Sequence, residues 1–431
     1  MISFRIEWQE NPNAAQSELD ATHALFEMRN GAAYITGVFD HHSCAARTGI
    51  YRPMSSVAEF IARNGWFLLN ESPNPQRLGT QAYLRRHNWQ CIADGFAMPN
   101  IEMENIGGQV RVKWSKSTLY PKLQFLEEGC DYFQRETVEQ TLWNEILSPT
   151  LDRLSSQRSL FADNIAAIEV NSRLDAEEKE YARLAAIAGM DGLSIDDGNA
   201  QTLQMLFGLF QNVDELEQVL ATGTPESLAE VPHFVDQRVS QILLSSPNLP
   251  DDPWIGGRKA PPWKVGYAKA QKLRSSLDLT NNAVDLEKVS SALGLNPPEA
   301  SESALEGIGE RLGWDAFAIS NHGKIGIDVL KRAPRSIRFA CCRALFEILK
   351  GVSQARIVGS SETWAEKANR AFAAEFLAPS RAISERIAGN RLSASRVADL
   401  AEEFDVSELV IKHQIKNHNL VDNETYARVI E

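Results

Sequence analysis

Histidine is the side chain most often used to ligate a metal or to move a proton near neutral pH. This chain has eight, at positions 23, 41, 42, 87, 233, 322, 413 and 418. A catalytic zinc helix needs two of them at H-x-x-x-H spacing, so that both imidazoles share one face, and no two are so spaced. The doublet His41-His42 follows Asp40 and precedes Cys44. Successive side chains on a strand point to opposite faces, so a turn is expected there rather than a shared metal. The cysteines, at 44, 91, 130, 341 and 342, are odd in number and contain no C-x-x-C pair, which predicts reduced core thiols rather than a disulfide framework. Arg85, Arg86 and His87 near Trp89 form a small basic-aromatic group. Glu102, Glu104, Glu127, Glu128 and Asp131 form acidic clusters whose spacing encodes no acid/base pair, and solvation is expected for them. Gly256-Gly257 lacks the lysine and the spacing of a phosphate loop.

The elements that must carry these residues fall into blocks. In the first third, 32–39 is rich in β-formers, and 109–114 (QVRVKW) alternates apolar and polar residues after a turn at 105–108. Residues 56–69 read as an amphipathic helix, as do 136–154, where Pro149 is expected to bend or break it. An α+β domain over 1–158 is predicted. Residues 159–245 read as helix almost throughout. Five prolines and two glycines then crowd 246–263, which predicts a linker. Beyond it, over 264–431, helices at 264–277 and 284–293 precede a β-hairpin (316–319 and 324–329, turning at 321–323). Further helices follow at 336–350, 362–377, 394–404 and 407–417. The fold class predicted for the whole is α+β.

Composition narrows the function. The 431 residues are 43% hydrophobic and 23% charged, and 44 basic against 57 acidic residues give a net charge of −13. An acidic surface repels phosphate backbones, so nucleic acid and anionic membranes are disfavoured partners. No apolar run approaches the roughly 18 residues that would span a bilayer. The first ten residues hold Arg5, Glu7 and Glu10 and no apolar signal core. A cytoplasmic protein is expected.

Four segments carry a family resemblance: the strand 326–329 (GIDV), Arg338-Phe339 opening a helix, the stretch 366–379 (EKANRAFAAEFLAP), and the tail 397–420 (VADLAEEFDVSELVIKHQIKNHNL). In this order they resemble the ImmA/IrrE metallopeptidases, over about residues 264–431. The resemblance implies a zincin-like α+β domain with a helix-turn-helix-like tail. The family's chemistry uses R-F-x-x-x-H-E-x-x-H on one helix, with two histidines for zinc and a glutamate as general base, and a third carboxylate ligand from the next helix. On that alignment Arg343 stands at the first histidine, Ala344 at the base, Glu347 at the second histidine and Glu366 at the third ligand. No catalytic residue and no cofactor are therefore expected. Three readings of the site compete. The guanidinium of Arg343 replaces zinc between Glu347 and Glu366; or a divalent metal is held by Glu347, Glu366 and a further ligand; or Arg343 and Glu347 form a solvated i,i+4 pair off the core face. Ala401, Asp405 and Ile411 sit at helix-turn-helix spacing, with Asp405 in place of the usual glycine, and Lys412, His413 and Lys416 are the candidate nucleic-acid contacts. Glu402, Glu403, Asp405 and Glu408 oppose that use, and packing is preferred for the tail. The expected function is a protein-binding or regulatory subunit in a bacterial stress, mobile-element, toxin–antitoxin or phage-defence setting. The alternatives are a metal-dependent hydrolase and a DNA-binding regulator.

Overall fold

A period-two pattern of Ile2, Phe4 and Ile6 against Ser3, Arg5 and Glu7 starts the chain as strand β1 (Ile2–Trp8), paired antiparallel with β2 (His23–Asn30). The computed structural model describes residues 1–9, 17–74, 76–92, 94–117, 119–194, 196–210, 213–239, 242, 244–249, 260–279, 281–296, 312–321, 324–351, 355–388, 392–422 and 426. Their mixture of helices and small antiparallel sheets is an α+β fold. No helix among them is long and apolar enough to cross a membrane. The chain divides into two units, Met1–Ile195 and Asp196–Glu431.

In the first unit β2 also pairs with β3 (Ala33–Tyr34) and β6 (Ile50–Pro53). A second sheet sets β4 (Val38–Asp40) between β5 (Ala45–Arg47) and β9 (Leu123–Phe125). A third sets β8 (Gln109–Ser115) between β7 (Asn100–Ile106) and β10 (Gly129–Gln134). The two-residue turn between β7 and β8 needs positive φ at both positions, and Gly107 and Gly108 supply +63° and +86°. Helix α1 (Met54–Asn70) buries Val57, Phe60, Ile61 and Leu68 against these sheets.

Two sequence expectations are met only in part here, for local reasons. The strand expected over 32–39 is broken by a turn in which Gly37 N–H bonds Tyr34 O, and a Cβ on Gly37 would lie 2.8 Å from that oxygen. Pro149 does not break its helix. Between α2 (Arg135–Leu142) and α3 (Ser148–Ser155), a π-helical turn spans Trp143–Leu147, with Ser148 N–H bonded to Trp143 O. The wider turn accommodates the proline ring and its missing donor.

The helical segment expected over 159–245 is not a unit. Its helices α4 (Ala162–Glu169) and α5 (Ala176–Ile187) pack on α1, whereas α6 (Val213–Thr222) belongs to the second unit and lies against β13 (Ala355–Gly359). Most of the expected linker, 250–259, lies outside the described residues. Its flanks are tied down: Ser245 and Ile325 exchange backbone bonds of 2.9 and 2.7 Å, Asn248 N–H bonds Leu293 O at 2.7 Å, and Pro262 opens helix α7 (Pro262–Ser276).

The second unit is built on the sheet order β12-β11-β13, with β11 (Trp314–Asn321) and β12 (Lys324–Val329) forming the expected hairpin, whose turn at 322–323 lies outside the described residues. Strand β13 was not anticipated from sequence. Over the sheet lies α8 (Pro334–Leu349), opened by Pro334. Helix α9 (Trp364–Leu377) runs against α7 so closely that a Cβ on Gly266 would lie 2.3 Å from Ala368 O. The tail helices α10 (Ala394–Glu403) and α11 (Glu408–Asn417) join the same core through Val397, Leu400, Phe404, Ile411 and Ile415. Between them Asp405 takes φ +50° in the turn. Arg338 Nε holds it there, 3.0 Å from Oδ2 and 3.3 Å from its carbonyl oxygen.

Candidate functional site

Helix α8 is buried on nearly every side between the sheet and α9, which decides the fate of Arg343 and Glu347. Arg343 is 3% exposed, and Glu347, Glu366 and Asn369 are fully buried. The solvated i,i+4 pair is therefore overturned: burial wraps this helix because the sheet covers the side on which sequence periodicity placed solvent.

Arg343 sits at the floor of a cleft, and each guanidinium nitrogen has a partner. Nη1 bonds the Asp315 carboxylate on β11. Nη2 bonds Glu366 on α9 and the Gly359 carbonyl at the end of β13. Nε donates to Asn369 Oδ1 at 2.9 Å. Glu366 is held from its other side by the N–H of Gly359 at 2.6 Å. Burial pulls the Arg343 pKa down, and Glu366 and Asp315 more than reverse this, so it ends above its ordinary value. Burial raises the Glu366 carboxyl against the opposing pull of Arg343 and Arg370.

Glu347 is not the second carboxylate on this arginine. It faces Lys350 Nζ at 2.7 Å and Arg356 Nη1 at 3.7 Å, and meets the Arg343 group only through Asn369 Nδ2, 3.4 Å from Glu347 and 3.3 Å from Glu366. The expected bridge from Arg343 to both Glu347 and Glu366 is corrected to one between Asp315 and Glu366. Lys350 follows Glu347 by three positions and captures it within its own helix, and β13 delivers Arg356 to the same carboxylate.

The metal alternative finds no fit in this donor set. Both oxygens of Glu366 are engaged, and an always-charged guanidinium fills the space between the acids. Among the described residues no group of three or more His, Cys, Asp or Glu could hold a metal. Ala344 is fully buried and offers no proton acceptor.

Above Arg343 the cleft measures about 480 Å³ between α7, α8, α9 and α11. Lys331, Arg335, Lys367 and Arg370 line it, together with Trp263 and Leu409, which are 47% and 59% exposed. Of the proposed nucleic-acid contacts, His413 lines this cleft, Lys412 pairs with Glu408 at 3.8 Å, and Lys416 lies 5.3 Å over the Tyr426 ring.

Elsewhere the sequence candidates resolve into structure. Asp40 caps a turn by accepting from His42 N–H at 2.9 Å, with His41 and His42 exposed. Arg86 and His87 turn inward to Glu71, so the expected basic-aromatic group is an internal ion cluster. Glu104 is buried against Tyr83 and Arg111 rather than solvated. The expectation of core thiols holds for Cys341 and Cys342 alone, since Cys44, Cys91 and Cys130 are exposed; burial pushes the Cys341 thiol up to about 12 and Cys342 well above its ordinary value. Neither is an activated thiolate.

Sequence reasoning missed Asp315, Asn369 and Gly359. Asn369 had a signal, since it lies one turn after Glu366 on the same helix face. Asp315 and Gly359 had none, because each is brought in by a different strand. Comparison of the chain with protein-family models, curated proteins and solved structures finds no match.

Proposed function

We propose that the second unit is a catalytically silent, peptidase-like module that binds a protein segment in the cleft above Arg343, in a cytoplasmic bacterial regulator of the stress, mobile-element, toxin–antitoxin or phage-defence kind. The observation that carries this reading is the saturation of Arg343 by Glu366, Asp315, Gly359 and Asn369. A peptidase of the resembling family needs an open metal position and a base on this helix, and here a fixed cation closes the floor instead. The groove keeps the features of a docking surface: two exposed apolar side chains, Trp263 and Leu409, flanking polar walls. Apolar anchors within a polar rim are the common anatomy of a protein interface.

The test uses the full chain against a displayed library of random peptides, alongside metal analysis of the purified protein. The expected result is a family of enriched peptides whose binding is lost in Leu409→Asp, an exposed position where the change leaves the fold intact. Chelator-sensitive peptide cleavage by the wild-type protein, or enriched peptides indifferent to both Leu409→Asp and Trp263→Ala, would overturn the reading.

A further inference from the structure

A cavity of about 590 Å³ lies in the first unit, far in chemistry from the Arg343 cleft. Helix α1 walls it with Trp66 and Gly65, the π turn brings Trp143, and Leu69 and Leu147 extend the apolar lining. Such a volume falls within the usual range for small-molecule pockets. Three features separate it from an incidental surface dent.

The first is Gly65. Glycine inside a helix costs about 1 kcal/mol against alanine, and a Cβ here would meet nothing within 4 Å. No packing neighbour requires the glycine; its effect is to keep the cavity wall open. The second is the fixed indole of Trp66. Its Nε1 donates to Asn171 Oδ1 at 2.8 Å, and Asn171 in turn donates from Nδ2 to Ala62 O at 2.5 Å, so the ring is held in place before anything enters. Trp143, 38% exposed, stands on the same cavity.

The third feature is charge. Glu136 is paired with Arg135 at 3.1 Å. Glu139 and Lys179, both exposed, stand at the rim of the cavity, and among the described residues neither side chain has an ion pair or hydrogen bond, with each other or with any other group. Opposite charges in one cavity that do not meet leave an acceptor and a donor for a ligand carrying the complementary pair. Gln140 and Asn144 add amides that are likewise without side-chain partners among the described residues.

We propose that this cavity binds a small zwitterion with an apolar body, of the class of a free aromatic or large aliphatic amino acid. Its ammonium meets Glu139, its carboxylate meets Lys179, and its side chain lies among Trp66, Trp143 and Leu69. The indoles favour the cationic end as well as the apolar body. A purely anionic ligand meets Glu139, and a purely cationic one leaves Lys179 unpaired. This inference is independent of the peptide-binding reading of the second unit.

The experiment is a titration of the full chain with L-phenylalanine, which leaves tryptophan emission free as the readout, alongside N-acetyl-L-phenylalanine and L-phenylalaninamide. Saturable change with the amino acid is expected, with binding at least about 10-fold weaker when either charged group is masked. Glu139→Gln should abolish discrimination against the acetylated compound, and Lys179→Met discrimination against the amide. Gly65→Leu should fill the cavity and remove binding while the melting temperature holds or rises. Gly65→Ala, a milder change, keeps the test decisive where leucine disturbs the helix: it should weaken binding with the fold intact. Absence of a saturable response to L-phenylalanine, or equal affinity for all three compounds, would overturn the proposal.

Discussion

The two units each bury a charge cluster, and the two clusters are inverted. In the first unit an anion is central. Glu71 is fully buried and accepts from Arg77 at 2.9 Å, Arg86 at 2.8 and 3.0 Å, and His87 Nε2 at 3.0 Å. Burial alone would raise its carboxyl, but His87, Arg77 and Arg86 bring it down to about 2. In the second unit a cation is central, with Arg343 shared by Glu366 and Asp315. There Glu366 has fewer cations around it, and burial keeps its carboxyl above the ordinary value. What stands at the centre of a buried cluster therefore decides which deletion strands like charges and which way acid acts on the fold.

The sharpest way to break this comparison is to remove the centres. Arg343→Ala leaves Glu366 and Asp315 facing each other without their cation, and a loss of about 3–5 kcal/mol is expected, the range for breaking a buried pair. Chemical denaturation measures it. The double change Arg343→Met with Glu366→Gln should recover part of the loss, because it removes charge from both sides. A midpoint unchanged in Arg343→Ala would show that the cluster contributes nothing to the fold.

Removal of packing alone gives the reference for those values. Phe404, fully buried between the tail helices and stacked under Arg386 at 5.0 Å, should cost about 3–5 kcal/mol as Phe404→Ala, by lost burial and the cavity left behind. A loss below 1 kcal/mol would mean that the tail is not an integral part of the second unit.

Acid separates the clusters by sign. The folded Glu71 carboxyl lies near 2, below its reference value of 4.5. Its contribution, about 3 kcal/mol from the size of the shift, is complete above pH 4.5 and is lost as pH falls from there toward 2. Glu366, raised by burial, runs the other way: what its protonation adds is complete below 4.5 and is lost as pH rises through its folded value. Denaturation of Glu71→Gln and Glu366→Gln against wild type from pH 6 to pH 2.5 should show differences that shrink with acid for the first variant and not for the second. Parallel curves would remove the contrast.

The smallest effect is expected at Lys412. It pairs with Glu408 at 3.8 Å on an exposed helix face, and such pairs contribute a few tenths of a kcal/mol. Lys412→Ala should leave the thermal midpoint nearly unmoved. Salt-sensitive DNA binding abolished by Lys412→Ala together with Lys416→Ala would assign the tail a role outside the core.

Local patterns account for what was readable in advance. The helical spacing over 56–69, 336–350 and 394–417, the alternation over 109–114 and the hairpin residues around 321–323 all express periods carried within one segment, and the described parts of those segments follow them. The left-handed turn at Asp405 was legible for the same reason, as one residue replacing glycine at a known position in a helix pair. Strand β13 was not legible: Arg356 interrupts its short apolar run, and that arginine is buried against partners from elsewhere, with Glu215, from a helix distant in sequence, 2.8 Å from its Nε and Glu347 3.7 Å from its Nη1.

The candidate site shows the same divide. That Arg343, Ala344 and Glu347 share one helix and that Glu366 opens the next could be read along the chain, as could the lack of any H-x-x-x-H pair. Which acid the arginine meets could not. Asp315 arrives on β11 and Gly359 on β13, and Lys350 and Arg356 draw Glu347 away. Side-chain spacing within a helix follows from its repeat, but a guanidinium surrounded by several acids pairs with those the packing brings within hydrogen-bond reach. That choice is made by two strands and two helices closing together, and only the folded chain contains it.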